Sequence, residues 1–148
     1  MKNVNFLKMY LTSKDCIAKY GDPIKENNMV LWDVSKELEI GIVPKKIYCN
    51  KDLILPLEHA LKNLIERKYI NELKTWDGCF NIRKSRGLPS LSLHSWGLAI
   101  DVNASWNGLG KQSTLSKGFV KCFLDAGFNW GGNFSKRKDP MHFELGKI

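Results

Sequence analysis

Histidine is scarce in this chain and long apolar runs are missing from it. Only three of the 148 residues are histidine, so the position of each one carries information. No stretch approaches the roughly 18–20 consecutive apolar residues that a membrane-crossing helix needs, and a transmembrane span is not expected. The first residues, MKNVNFLKMYLTSKD, hold one early lysine and only interrupted apolar positions, without the apolar core or small-residue cleavage site of a secretory signal. Synthesis in the cytoplasm is the expectation. The four cysteines, Cys16, Cys49, Cys79 and Cys122, never form a CxxC pair, which excludes zinc-finger spacing and a thioredoxin-like redox motif. They read as buried free thiols. No internal repeat and no low-complexity linker interrupts the chain.

What is abundant is positive charge: 23 lysines and arginines against 15 aspartates and glutamates leave a net charge of +8. Such a surface attracts anions, whether nucleic acid, a membrane face or an acidic wall polymer. No RNP, helix-turn-helix or finger pattern accompanies the charge, so specific nucleic-acid binding is not expected. With 43% hydrophobic residues, the length suits one core and one domain over 1–148. Nothing in it calls for an obligate dimer, and a monomer is expected.

The stretch LTSKDCIAKYGD predicts a short helix, with Thr12 and Asp15 spaced as a capping box and Gly21 as its stop. MVLWDV and LEIGIVPKKIY read as short strands or extended loops broken by Gly41 and Pro44. DLILPLEHALKNLIERKYI carries Leu55, Leu57, Ala60, Leu61 and Leu64 at helical spacing; His59 on its flank is left out of any site. Further on, TWDGCFNIR predicts a strand, RGLPSLSLHSWG a loop, LAIDVN a strand, TLSKGFVKCFLDAG a helix closed by Gly127, and MHFEL a final strand. Strands and helices mix without a regular βαβ rhythm, which predicts an α+β fold with a small, mainly antiparallel sheet and flanking helices.

Strand alternation in LAIDVN sets Leu98, Ile100 and Val102 on one face and Asp101 on the other; in MHFEL it sets His142 and Glu144 opposite Met141, Phe143 and Leu145. If the two strands are neighbours, Asp101 and His142 converge, and Gly97 lets the chain turn so that His94 reaches the same point. Two imidazoles and one carboxylate suit Zn2+, and three protein ligands leave a fourth position for water, the catalytic rather than the structural arrangement. Asp139, three residues before His142, is a candidate proton acceptor. Arg83, at the end of a predicted strand, is a candidate for binding a substrate carboxylate or an oxyanion.

These residues resemble a family. SLHSWGLAID fits the S-x-H-x-x-G-x-A-x-D pattern, and DPMHFE the [ED]-x-x-H pattern, of zinc peptidases that include vancomycin-resistance D,D-peptidases, D-alanyl-D-alanine carboxypeptidases and phage L-alanyl-D-glutamate endolysins. The resemblance runs from about Ile47 to Glu144 and does not cover the first 45 or so residues. It implies a hedgehog/D,D-peptidase-like fold, zinc on His94, Asp101 and His142, and Asp139 as general base and acid. Arg83 fits the family's upstream arginine better than Arg86, because it follows the strand-like CFNI. Ser92 opens the first motif, where its hydroxyl orients substrate or a neighbouring loop, or makes a simple turn hydrogen bond. Trp96 and Trp130 are candidates for lining a peptide groove, or else for core packing.

Vancomycin-resistance dipeptidases carry glutamate where this chain has Asp139, and the endolysin-like branch tolerates aspartate. The resemblance therefore implies hydrolysis of the peptidoglycan stem peptide by an L-alanyl-D-glutamate endopeptidase acting as a phage endolysin. Such a protein waits in the host cytoplasm and acts at the bacterial wall or periplasm after the membrane is permeabilised. The alternatives are a D-alanyl-D-alanine carboxypeptidase and a non-catalytic zinc-containing wall-binding or virion module.

Overall fold

In the computed structural model, which describes residues 10–148, two antiparallel sheets and three helices share one buried core. The first helix, α1 (Ser13–Tyr20), starts at a capping box. Thr12 Oγ1 accepts from the Asp15 amide, and Asp15 Oδ2 accepts from the Thr12 amide at 2.9 Å. It ends at Gly21, whose φ of +80° lies in the region that favours glycine. Strands β1 (Met29–Asp33) and β2 (Lys46–Asn50) pair with each other, Met29 opposite Asn50. Helix α2 (Ile54–Glu66) follows and buries Leu57, Ala60, Leu61 and Leu64 of the predicted stripe, while His59 on its outer flank is exposed. Leu55 is a correction: it is 74% exposed, because two residues before Leu57 is about 200° round the helix.

The second sheet carries the site. Strands β3 (Trp76–Gly78), β4 (Ala99–Val102), β5 (Phe128–Trp130) and β6 (His142–Leu145) lie in the order β3-β4-β6-β5, each pair antiparallel. Helix α3 (Lys117–Leu124) sits on one face of this sheet. Phe123 of α3 stacks on Phe143 of β6 with ring centroids 4.3 Å apart, and Phe119 and Phe128 complete the aromatic cluster. Helix α2 is tied to α3 by a buried hydrogen bond from Asn63 Nδ2 to the Cys122 carbonyl, 2.9 Å. The α+β architecture is the one expected.

Three expectations about elements need correction. The predicted strand over TWDGCFNIR stops at Gly78. Its φ of +129° and the register shift against β4 break the ladder there, and Cys79 onward loops away. The loop before β4 contains a 3-10 turn, Leu93–Trp96. FNW, which was given no element, forms β5, because the edge of β6 offers it a ladder. The leading segment joins the same core: Cys16 is fully buried, and Tyr20 donates from its hydroxyl to Asp52 at 2.6 Å.

All four cysteines are free and buried. Burial pushes the Cys16 and Cys49 thiols up to about 12, so the folded state favours the protonated form. That contribution to stability is present below the ordinary thiol value near 9 and is lost as pH rises from there toward 12. At pH 8 the two thiols should alkylate at least a hundredfold more slowly in the native protein than in urea; equal rates in iodoacetamide labelling would contradict the burial. Phe123→Ala should cost about 3–5 kcal/mol in a denaturant titration, as emptying a large aromatic site does.

Candidate functional site

Antiparallel register is what brings the two motifs together. Asp101 of β4 lies directly opposite His142 of β6, and Ala99 opposite Glu144. Alternation turns Phe143 toward α3 and sends His142 and Glu144 to the other side. That side is not exposed: Asp101, His142 and Glu144 are all buried, because the 83–96 segment and the Gly131–Asp139 loop cover it. His94 comes from the 3-10 turn. Ser92 caps this turn, its Oγ accepting from the His94 amide at 3.2 Å. Gly97 closes it at φ +67° and passes the chain into β4. A Cβ at Gly97 would stand 2.7 Å from both the Asn50 amide nitrogen and the Met29 methyl, so the turn admits only glycine.

Three donor atoms meet. His94 Nε2 lies 3.1 Å from Asp101 Oδ1, His142 Nδ1 lies 3.3 Å from that oxygen, and the two ring nitrogens are 3.2 Å apart. Donors held tetrahedrally by one zinc at about 2.0–2.1 Å stand about 3.3 Å from one another, so the triangle fits that ion. The outer nitrogens agree. His94 Nδ1 is 2.6 Å from the Cys79 carbonyl and must donate to it, which leaves Nε2 as a lone pair. His142 Nε2 is 2.7 Å from Glu144 Oε1 and donates there, which frees Nδ1. Two imidazoles with their lone pairs aimed at one carboxylate oxygen are set to share a cation. Burial alone would raise Asp101, but its bonds to His142 and His94 hold it well below the usual carboxylate range. Burial alone would lower His142, but Asp101 and Glu144 raise it to about 9.

Above the triangle sits Asp139, 2% exposed. Its Oδ2 accepts from Arg86 Nη1 at 2.5 Å, while its Oδ1 is buried with no partner. The backbone holds it tightly: its amide donates to the Gly131 carbonyl at 2.9 Å, and its own carbonyl accepts from the His142 amide at 3.0 Å. A Cβ at Gly131 would come within 2.2 Å of the Asp139 carbonyl oxygen, so glycine is required for this approach. Arg86 also donates from Nη2 to Asp101 Oδ2 at 2.5 Å, and these two carboxylates outweigh burial and raise its pKa. Arg83 donates to Asp101 Oδ2 at 3.4 Å and to the Lys84 carbonyl at 3.3 Å, and makes no bond to Asp139. Its pKa is lowered by burial and by Arg86 beside it.

The structure therefore gathers His94, Asp101, His142, Asp139, Arg83 and Ser92 in one place, with Ser92, Arg83, Asp139 and His142 on the wall of a small polar cleft. The strand through CFNI on which the preference for Arg83 over Arg86 rested does not form, since β3 ends at Gly78; both arginines reach Asp101, and Arg86 makes the closer contacts. Of the two readings open for the tryptophans, the structure takes core packing. Trp96 is 3% exposed and anchored by its indole N–H to the Gly21 carbonyl at 2.8 Å, inside the core beneath α1. Trp130 stacks on Phe143 and donates to the Pro140 carbonyl at 2.7 Å; it braces the Asp139 loop and does not line the cleft. Sequence reasoning weighed Arg86 and preferred Arg83, and it passed over the role of Glu144. The i, i+2 spacing of Glu144 from His142 was the signal for the latter.

Residues 86–145 match the family model described as D-alanyl-D-alanine carboxypeptidase. Searches of curated proteins and of solved structures returned no match. For the metal set, His94→Ala and His142→Ala should each abolish stoichiometric zinc binding after dialysis. Glu144→Gln should weaken it about 10–100-fold, the usual effect of losing an outer-shell partner. Unchanged zinc titrations in all three variants would place the ion elsewhere.

Proposed function

We propose that this chain, a metallopeptidase of the zinc D,D-carboxypeptidase family through its residues 86–145, cleaves the peptide stem of peptidoglycan as an L-alanyl-D-glutamate endopeptidase. The observation that carries the reading is the unpartnered Oδ1 of Asp139, buried in the same cleft as His142 of the His94, Asp101, His142 set. A buried carboxylate oxygen without a donor is costly unless a ligand uses it. A zinc ion held by the three donors would supply Lewis acidity toward the scissile carbonyl and would acidify a water. The rest is done by the chain. Arg86 fixes Oδ2 of Asp139. Oδ1 is then free to take a proton from the attacking water and to return it to the leaving amine. Arg86 and Arg83 both donate to the far oxygen of Asp101.

An endopeptidase needs room on both sides of the bond, and a groove of about 530 Å3 supports that. It shares Ser85, Arg137 and Glu144 with the cleft and extends past Phe134 and Leu91 to the start of α1. The basic surface, net +8, favours approach to an anionic wall. On this reading the protein works as a phage endolysin, made in the host cytoplasm and reaching the wall once the membrane is permeabilised. A second reading, D-alanyl-D-alanine carboxypeptidase, is favoured by the description of the matching family.

Digestion of purified muropeptides separates the two. New amino-terminal D-glutamate, seen by mass spectrometry, is the expected product, and free D-alanine instead would give the second reading. Asp139→Asn should lower kcat at least a hundredfold, the order expected on losing a general base, with zinc content unchanged. Full activity in that variant would remove Asp139 from the mechanism, whereas a wild-type zinc protein that only binds sacculi would leave a non-catalytic wall-binding module.

A further inference from the structure

Three arginines, Arg83, Arg86 and Arg137, reach the cleft, and only two of them have acidic partners. Arg86 is held by Asp101 and Asp139, and Arg83 by Asp101. Glu144, the other acid on the wall, is committed to His142. Arg137 makes no ion pair with any described residue, and its Nε is buried without a hydrogen-bond partner. Its position is nevertheless defined. The guanidinium lies 5.4 Å from the centre of the Phe134 ring, and Phe134 is itself packed edge-on by Tyr10 at 5.3 Å. Gly87, at φ +77°, leaves room for the arginine stem: a Cβ there would come to 3.3 Å from Arg137 Cδ. The side chain lines both the cleft and the longer groove, so it stands where the two join.

A fixed, partly desolvated guanidinium with an unused donor is built to take a carboxylate. We propose that Arg137 is a specificity residue that binds the free carboxylate on the residue following the scissile bond. The inference rests on the stem-peptide reading above, but not on which bond is cut. D-glutamate joined onward through its γ-carboxyl keeps its α-carboxylate free, and a terminal D-alanine keeps its own. Arg137 is two residues from Asp139, the group that protonates the leaving amine, so the carboxylate beside that amine is the one within its reach. Arg83 and Arg86 remain with the catalytic carboxylates.

The test uses zinc-loaded full-length protein and two synthetic peptides, L-alanyl-γ-D-glutamyl-L-lysyl-D-alanine with the glutamate α-carboxylate free and the same peptide with an α-carboxamide. If muropeptide digestion shows the terminal bond to be cut, the pair becomes a D-alanyl-D-alanine peptide and its C-terminal amide. The wild type should prefer the acid by at least tenfold in kcat/KM. Arg137→Gln should erase the preference by raising KM for the acid at least tenfold, with kcat and the KM of the amide within about threefold of wild type. Arg137→Lys should keep part of the preference. Thermal melts and zinc content of both variants are measured alongside. Equal use of acid and amide by the wild type, or equal losses on both in Arg137→Gln, overturns the assignment and leaves Arg137 a structural residue. Failure of the wild type to cut either peptide or whole sacculi overturns the peptidase reading, and the present inference with it.

Discussion

The pairing of β4 with β6 in a register that sets Asp101 opposite His142 is the constraint on which the rest of this molecule depends. One residue of slip would send His142 to the α3 side and Phe143 to the metal side. The slip is opposed from the core, where Phe143 is stacked on Phe123 and flanked by Phe119 and Trp130. Packing on one face of the sheet thus determines donor geometry on the other. The short strands suffice because their few ladder bonds are backed by a full aromatic layer.

Around that register the chain uses backbone devices more than long elements. Gly97 turns His94 back over β4, and Gly131 lets the Asp139 carbonyl approach to a distance no other residue permits. Ser92 caps the histidine turn, and the Cys79 carbonyl sets the tautomer of His94. Trp130 holds Pro140 and so steadies the loop between Asp139 and His142. Each of these contacts orients a side chain that does chemistry. The polar cluster is fully buried, yet nearly every polar atom in it has a partner, which is how a low-dielectric site carries this many charges. Asp139 Oδ1 and Arg137 Nε are the two exceptions among the described residues, and both belong to residues that line the cleft.

Much of the site was legible because its chemistry is written in residue types that are rare here. With three histidines in the chain, two strands whose alternation places Asp101 and His142 off the apolar face, and a glycine between His94 and its strand, the candidate donors followed from local periodicity, and their convergence from the pairing of the two strands. The helices were legible for similar reasons: Thr12 with Asp15 at one start, a leucine stripe at helical spacing in α2. What local pattern could not give was competition between elements. TWDGCFNIR has strand propensity throughout, but Gly78 breaks it and Cys79 is drawn under His94. FNW is too short to declare itself and becomes a strand only because β6 has an edge to offer.

Residue type and spacing by themselves determined the α+β class, the two motifs, and which three side chains carry lone pairs suited to zinc, since periodicity of two and a turn glycine are local properties. Tertiary structure decided everything that depends on distance between segments far apart in the chain. It set Arg86 rather than Arg83 between the two aspartates, buried Trp96 under α1, and turned Trp130 into a brace. It also left Arg137 without a counter-charge at the mouth of the cleft. Charge and aromatic residues are abundant in this sequence, so their roles are fixed only by which neighbours the fold brings within a few ångströms.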